Sequence, residues 1–326
     1  MEYDEDGVPV FYHPRLPSPP APLPCVPGPK LAPFTPTAHA DIEFIRFIGC
    51  EKDKDSVVWK VKINGAGPFA LKMFYFCDWL LLLQGNYGEF RRSLASPQLY
   101  VDYFDAFNCE CRAYGRLKEE QRENLAVRAL GYLFLTPQQE IYLAKRMEHG
   151  GTPPPGVADD PEPDGGTFWG RQAQHRELPV RAIVKELAPD KYYPDPAQAP
   201  RMWADLQALH SLGIFVRDTH GGNYVDGKLV DFSRSWTMYH PALDGLDARQ
   251  LNRLVRKDLN KLLEYYYEVA NYWRDEALIP PDLDALCSGN SDDYKNYPTA
   301  YDWLNGAENA DEAKAFVKQL FKKAVD

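Results

Sequence analysis

The 326-residue sequence has no long apolar run: the densest stretch, Trp79 to Leu83, is far too short to span a bilayer, so no membrane partner is expected. The opening MEYDEDG has neither a basic nor an apolar segment of the secretory kind. The six cysteines, Cys25, Cys50, Cys77, Cys109, Cys111 and Cys287, show no paired metal spacing and no disulfide framework. Together these absences point to a reducing cytoplasmic or nuclear setting. Excess positive charge is missing too: a formal net charge of −10 argues against broad electrostatic binding of nucleic acid, though not against a local basic patch. Apolar content of 44% with 26% charged residues is ordinary globular usage, and the length suffices for a large core.

What the chain does carry is concentrated between Val216 and Ser233, VRDTHGGNYVDGKLVDFS. Asp218, Asn223 and Asp231 stand in the order and spacing that phosphoryl transfer requires. One carboxylate must face the attacking hydroxyl, while a carboxamide and a second carboxylate grip Mg²⁺ beside the phosphates of ATP. Gly221 and Gly222 are expected to give the loop its backbone freedom. Asp226-Gly227, between the short apolar stretches Tyr224-Val225 and Lys228-Val230, predicts a tight hairpin that returns Asp231 to the same cleft.

Upstream, Val57–Ile63 and Phe69–Phe74 read as two strands joined at Asn64-Gly65, and Ala70-Leu71-Lys72 matches the V-A-I-K pattern. Lys72 would then contact the α- and β-phosphates. Glu110 lies in a helical pattern marked by Cys111, Tyr114, Leu117 and Lys118, suited to pair with Lys72. Met202, Leu206, Leu209 and Leu212 predict a helix ending at Gly213. Leu251, Leu254, Leu259, Leu262, Leu263 and Tyr266 mark a buried helix on which Asp258 either holds the loop backbone or faces solvent. Glu140–Arg146 and Val180–Glu186 read as strands, Tyr265–Tyr267 with Tyr272 as core packing, and Glu308–Val325 as an amphipathic helix.

ALKMFYF, NCECRAYGRLKE, IVKELAP and the run from Leu209 to Ser233 resemble a fungal kinase-related family of kinetochore-complex subunits, over roughly residues 41 to 260. The resemblance implies an α+β, bilobal protein-kinase-like fold with a small β-rich N-lobe, a reduced, mostly helical C-lobe and a Pro-rich N-terminal arm. It places the arm at 1–40, the N-lobe at 41–148, a Pro/Gly/acidic insertion at 149–178, and hinge and C-lobe at 179–326. Implied roles are catalysis for Asp218, Arg217 and His220, cofactor contact for Lys72, Glu110, Gly49, Glu186 and Ala188, and Mg²⁺ for Asn223 and Asp231. ATP and Mg²⁺ are the cofactors it implies.

The departures limit the function. Val216 precedes Arg217 where protein kinases carry histidine, His220 takes the place of a lysine, and Ser233 follows Asp231-Phe232 in place of glycine. Imidazole is mostly neutral at pH 7, so it stabilises transition-state charge less well than an ammonium. Glu51–Asp55 fills the space after Gly49 where further glycines would approach phosphate. No A-P-E motif follows, so the peptide-docking segment is short or absent.

These features are compatible with an atypical ATP-dependent phosphotransferase acting on a small-molecule or other non-peptide acceptor. Two alternatives are a pseudokinase interaction module and a tRNA-dependent, arginine-containing cyclodipeptide synthase, in which Asp218 would deprotonate an amine. The Pro-rich arm, 9–36, is expected to be extended and loosely attached, and its PSPPAPLP could engage an SH3- or WW-type protein partner. The 149–178 insertion is expected to be mobile.

Overall fold

A computed structural model of the chain describes residues 23, 26–35, 40–49, 55–77, 94, 97–148, 168–171, 175, 178–189, 195–243, 246 and 248–273. They fall in two compact units. The described residues of the first lie within 32–77 and 129–187, and those of the second within 23–31, 94–128 and 188–273.

The first unit is built on a five-stranded antiparallel sheet in the order β1-β2-β3-β5-β4. Its strands are β1 (Ile42–Phe47), β2 (Ser56–Ile63), β3 (Ala66–Phe74), β4 (Ala129–Phe134) and β5 (Arg181–Glu186). Asn64 and Gly65 join β2 to β3 with φ of 50° and 76°, the left-handed pair that a two-residue hairpin needs. Alternation places Val57, Trp59, Val61 and Ile63 of β2 in one core with Leu71, Met73, Ala182 and Val184. Lys72, next to Leu71 and Met73, projects to the other face and is itself buried.

That core is closed by helix α3 (Pro137–Glu148), where the sequence suggests a strand at Glu140–Arg146. The helix wins because Thr136 and Gln139 form a reciprocal capping box. The Thr136 amide donates to Gln139 Oε1 at 2.8 Å, and the Gln139 amide donates to Thr136 Oγ1 at 3.3 Å. Pro137 sits at the first helical position, where its missing N–H costs nothing. Glu140 is buried and accepts from the Val180 amide at 2.7 Å and from Arg171 at 3.0 Å, which ties α3 to the start of β5. Phe168 and Trp169, at the end of the expected insertion, belong to this core, with the Phe76 amide donating to the Trp169 carbonyl at 2.8 Å. Residues 149–167 lie outside the described residues.

The second unit is mainly helical: α1 (Pro97–Phe104), α2 (Ala106–Glu119), α4 (Ala199–Ser211) and α5 (Ala248–Trp273). Asp105 caps α2 by accepting from the Phe107 and Asn108 amides. This helix is buried on nearly every side, Cys111, Tyr114 and Leu117 as predicted, while Lys118 is exposed. Arg112, also buried, donates to the Thr237 carbonyl at 2.8 Å and to the Tyr239 carbonyl. Helix α4 stops at Gly213, whose φ of 75° ends it as the sequence predicts. All six apolar positions predicted for α5 are buried. Tyr265 and Tyr266 pack inward as expected, but Tyr267 is 41% exposed, so the tyrosine stripe is narrower than the sequence suggests. Glu308–Val325 lies outside the described residues.

The Pro-rich arm is held more firmly than expected where it is described. Val26 and Leu31 are buried, and the Leu31 amide donates to the Cys111 carbonyl of α2 at 2.8 Å. Farther on, the Phe34 amide donates to Tyr132 of β4 at 2.7 Å and the Tyr132 amide to Ala32 at 3.1 Å, which extends the sheet of the first unit at its edge. Residues 9–22, with most of PSPPAPLP, lie outside the described residues.

One buried group makes the second unit sensitive to acid. His240 Nε2 donates to the Tyr103 carbonyl at 3.1 Å, while its Nδ1 accepts from the Ala242 amide at 3.1 Å, so the ring is held as the neutral tautomer. Burial, with the Arg112 charge adding to it, holds its pKa well below the ordinary value. The unfolded chain therefore takes up a proton below about pH 6.5 that the folded chain refuses, and stability falls as pH drops through that window. Urea unfolding of the wild type and of His240→Gln should show their stability difference shrinking by about 2 kcal/mol between pH 7 and pH 5. A difference that stays constant would contradict this assignment.

Candidate functional site

The residues singled out between Val216 and Ser233 lie in the second unit, on a loop fixed from below by α5. Strand β6 (Ile214–Phe215) leads into it, and Arg217 adopts a φ of 66°, a left-handed conformation that a side-chain-bearing residue holds only under constraint. The constraint is Asp258, 1% exposed. Its Oδ2 accepts from the Val216 amide at 2.9 Å and from His210 Nε2 at 3.0 Å, and its Oδ1 accepts from the Arg217 amide at 2.8 Å. Of the two sequence readings of Asp258, the loop-holding one is correct. His210 joins α4 to the same carboxylate.

Past Arg217 the loop folds on itself. Asn223 Nδ2 donates to the Asp218 carbonyl at 2.7 Å, and the Asn223 amide donates to the His220 carbonyl at 2.9 Å. The predicted hairpin forms between β7 (Tyr224–Val225) and β8 (Lys228–Leu229), with Asp226 and Gly227 at φ of 48° and 70°. It brings the Val230 amide to the Asn223 carbonyl at 2.8 Å, so Asp231 follows directly beside the loop. Asp231 Oδ1 accepts from the Ser233 amide at 2.6 Å. Phe232 is fully buried, edge-on to Tyr114 of α2 at 5.1 Å, which ties this segment to the helix that carries Glu110.

Gly221 and Gly222 correct one expectation. Neither has a positive φ, so the backbone freedom of glycine is not what the loop uses. A Cβ on Gly221 would lie 2.0 Å from the Tyr265 ring, so this glycine is needed for close approach. Tyr265 thus supports the loop from α5, a role the sequence did not reveal. Its hydroxyl pKa is pushed up to about 12 by burial.

His220 is more than a neutral substitute for a cation. Its Nδ1 accepts from the Gly222 amide at 3.1 Å, which leaves the proton on Nε2, 3.7 Å from Asp218 Oδ2. Both side chains are about half exposed, so they face solvent from the loop surface. Arg217, expected to be catalytic, is directed elsewhere. Its guanidinium lies 3.7 Å above the Trp236 ring of β9 (Trp236–Thr237) and donates to the Arg234 carbonyl at 3.1 Å. That makes it a brace on the segment after Asp231.

The remaining predicted residues are divided between the units. Lys72, in β3 with Val58 and Ile183 as its cross-strand neighbours, has its ammonium 5.2 Å from the Phe74 ring centroid. The Gly49 amide donates to the Val58 carbonyl at 3.1 Å, and Glu186 pairs with Phe69 at the end of β5. These three belong to the first unit, and Glu110, fully buried, and Ala188 to the second. Glu51 to Lys54 lie outside the described residues.

Among the described residues, no three His, Cys, Asp or Glu side chains gather as a metal cluster. The donor set of the loop is of another kind, one carboxamide and one carboxylate. That suits an ion such as Mg²⁺, which keeps waters and takes most of its remaining oxygens from phosphate.

Fold and loop together define a mixed α/β protein, with a five-stranded antiparallel sheet in one unit and a braced Asp–Asn–Asp loop in a helical second unit. A family model described as "Kinetochore Sim4 complex subunit FTA2" matches residues 19–236, and the chain belongs to that family. No curated protein matches in sequence. Among solved structures, the crystal structure of the BubR1 kinase domain is similar at 14% identity and a TM-score of 0.27, covering 65% of this chain and 53% of that one. Among the described residues, no helix is long and apolar enough to cross a membrane.

Proposed function

We propose that the chain is an atypical kinase-like subunit of a nuclear kinetochore complex that binds a magnesium nucleotide and transfers phosphoryl to a non-peptide acceptor. The observation that carries this reading is the Arg217 backbone, held left-handed by two hydrogen bonds to one buried carboxylate. Strain of this kind costs about 1–3 kcal/mol and persists where a site needs it. Here it aims Asp218 away from the protein body while Asn223 fastens the same residue's carbonyl.

In this reading Asp218 orients the acceptor hydroxyl and receives its proton, and the Nε2–H of His220 beside it steadies the carboxylate. The Asn223 carbamoyl oxygen and the Asp231 carboxylate would hold Mg²⁺, which when bound neutralises charge on the phosphates. Lys72 would contact the α- and β-phosphates, as the V-A-I-K pattern around it implies. The non-peptide acceptor is supported by the short return after Asp231. Trp236 already pairs with Phe215, which leaves little chain to dock a peptide.

A second reading, a binding module without turnover, is favoured by His220 standing where a permanent cation would neutralise the γ-phosphate. Thermal unfolding with ATP or ADP and Mg²⁺ separates both readings from an idle cleft. At a hundredfold excess over Kd, stabilisation of about 2.7 kcal/mol is expected, and it should vanish in Asp231→Asn. No shift with either nucleotide would remove the nucleotide reading. A shift without phosphate release or transfer would select the binding module.

A further inference from the structure

We infer that Gln198 and Arg201, at the start of α4, are positioning residues for Asn223 and Asp231, on which they act through the turn between β7 and β8. The inference rests on the reading of this loop as a magnesium-nucleotide site. Gln198 Nε2 donates to Asp226 Oδ1 at 3.1 Å, while Arg201 Nη2 donates to the Asp226 carbonyl at 3.3 Å and to the Gly227 carbonyl at 3.2 Å. Two side chains thus grip both residues of the turn. The fit is close, since a Cβ on Gly227 would stand 2.6 Å from Gln198 Oε1 and 3.0 Å from Arg201 Nη2. Gln198 is itself anchored by its amide, which donates to the Asp195 carbonyl at 2.8 Å, and its side chain makes no capping bond to α4. That side chain is given to the hairpin instead.

The hairpin needs such a clamp because it is too small to hold its own register. Its ladder consists of Tyr224 opposite Leu229 and Val225 opposite Lys228. An isolated two-stranded hairpin is marginal in water even when its strands are longer. Its base is closed by the Val230 amide donating to the Asn223 carbonyl at 2.8 Å, and its second strand is held from outside by the Val127 amide donating to the Leu229 carbonyl at 2.9 Å. Gln198 and Arg201 hold the tip. Asn223 immediately precedes β7 and Asp231 follows β8 by two residues, so closure of this ladder sets the separation of the two donor groups. Mg²⁺ demands near-ideal octahedral geometry, so a frayed hairpin would present a poorer pair of ligands. Residues that orient metal ligands without touching the metal commonly govern its affinity by about 10- to 100-fold.

The test is thermal unfolding of the full chain with ADP in fixed excess while Mg²⁺ is titrated, with an EDTA-treated sample as the metal-free reference. In Gln198→Ala/Arg201→Ala the Mg²⁺ concentration that gives half of the metal-dependent shift should rise about tenfold, and the shift with ADP in EDTA should be unchanged. A clamp that served stability alone would lower the melting temperature and leave the Mg²⁺ midpoint where it was, which would overturn the inference. Hydrogen exchange without nucleotide or metal supplies the second measurement. The amides of residues 223–231 should exchange about tenfold faster in the double variant, and exchange at the wild-type rate would overturn the clamp whatever the nucleotide result. Ser211→Ala, at the other end of α4, should leave both measurements within about twofold of wild type. Effects as large as those of the double variant would assign the role to the helix as a whole and not to its two side chains. A wild type with no Mg²⁺-dependent shift, but with the faster exchange in the double variant, would remove the nucleotide reading and the metal role of the clamp while leaving the clamp on the hairpin in place.

Discussion

Asp258→Ala should unfold the loop that follows Val216 and destabilise the second unit by about 3–5 kcal/mol, the range seen when one partner of a buried charged network is removed. The carboxylate accepts three hydrogen bonds at 2.8–3.0 Å in a position that is 1% exposed. Its loss leaves the Val216 and Arg217 amides without acceptors, at about 1–3 kcal/mol each. Relaxation of Arg217 out of its left-handed conformation recovers part of that cost, and in doing so misdirects Asp218. Asp258→Asn keeps the shape and one acceptor oxygen, so it should fold with a smaller loss and still weaken nucleotide binding. Chemical denaturation with and without Mg–ADP measures both. Wild-type stability and binding in Asp258→Ala would show that the brace is dispensable and would remove the support for a strained, functional loop.

Much of this arrangement was legible in the sequence because it rests on short-range signals. Asn64-Gly65 and Asp226-Gly227 favour left-handed turns, and both hairpins formed. Gly213 ended α4 for the same local reason. Asp258 was readable only as a choice between two roles, because burial decides it and burial depends on residues more than forty positions away. The role of Tyr265 was hidden for the same reason, and Gly221 looked like a flexible residue when it is a space-making one. The misread of α3 was avoidable. Thr136-Pro137-Gln138-Gln139 carries both a capping box and a proline at the first helical position. Lys72 and Glu110 were matched by pattern, and the structure adds that both are buried.

Residues 26–35 of the arm are held more firmly than expected because proline-rich composition says how a segment is shaped when alone, and not whether the rest of the chain has made room for it. Two glycines make that room. A Cβ on Gly115 of α2 would stand 2.4–2.5 Å from the backbone of Lys30, and one on Gly131 of β4 would stand 2.5 Å from the Phe34 nitrogen. Neither obstacle is the far end of a flexible side chain, so the arm itself must move. Gly115 is in a helix, where alanine is the better helix former by about 1 kcal/mol. Any destabilisation by Gly115→Ala therefore reports the lost contact and not helix propensity. The contact includes the Leu31 amide bond to Cys111 and the burial of Val26 and Leu31, of which the side chains alone contribute about 1.5–3 kcal/mol each before the entropy of ordering the arm is subtracted. A net loss of about 2–3 kcal/mol is expected for the arm. Because proteolysis of an opened segment follows the population of the open form, cleavage next to Lys30 should then accelerate by about 30- to 150-fold. Gly131→Ala should speed cleavage on the other side, near Phe34. Cleavage near Lys30 at the wild-type rate in Gly115→Ala would show that the arm is held by something other than its seat on α2.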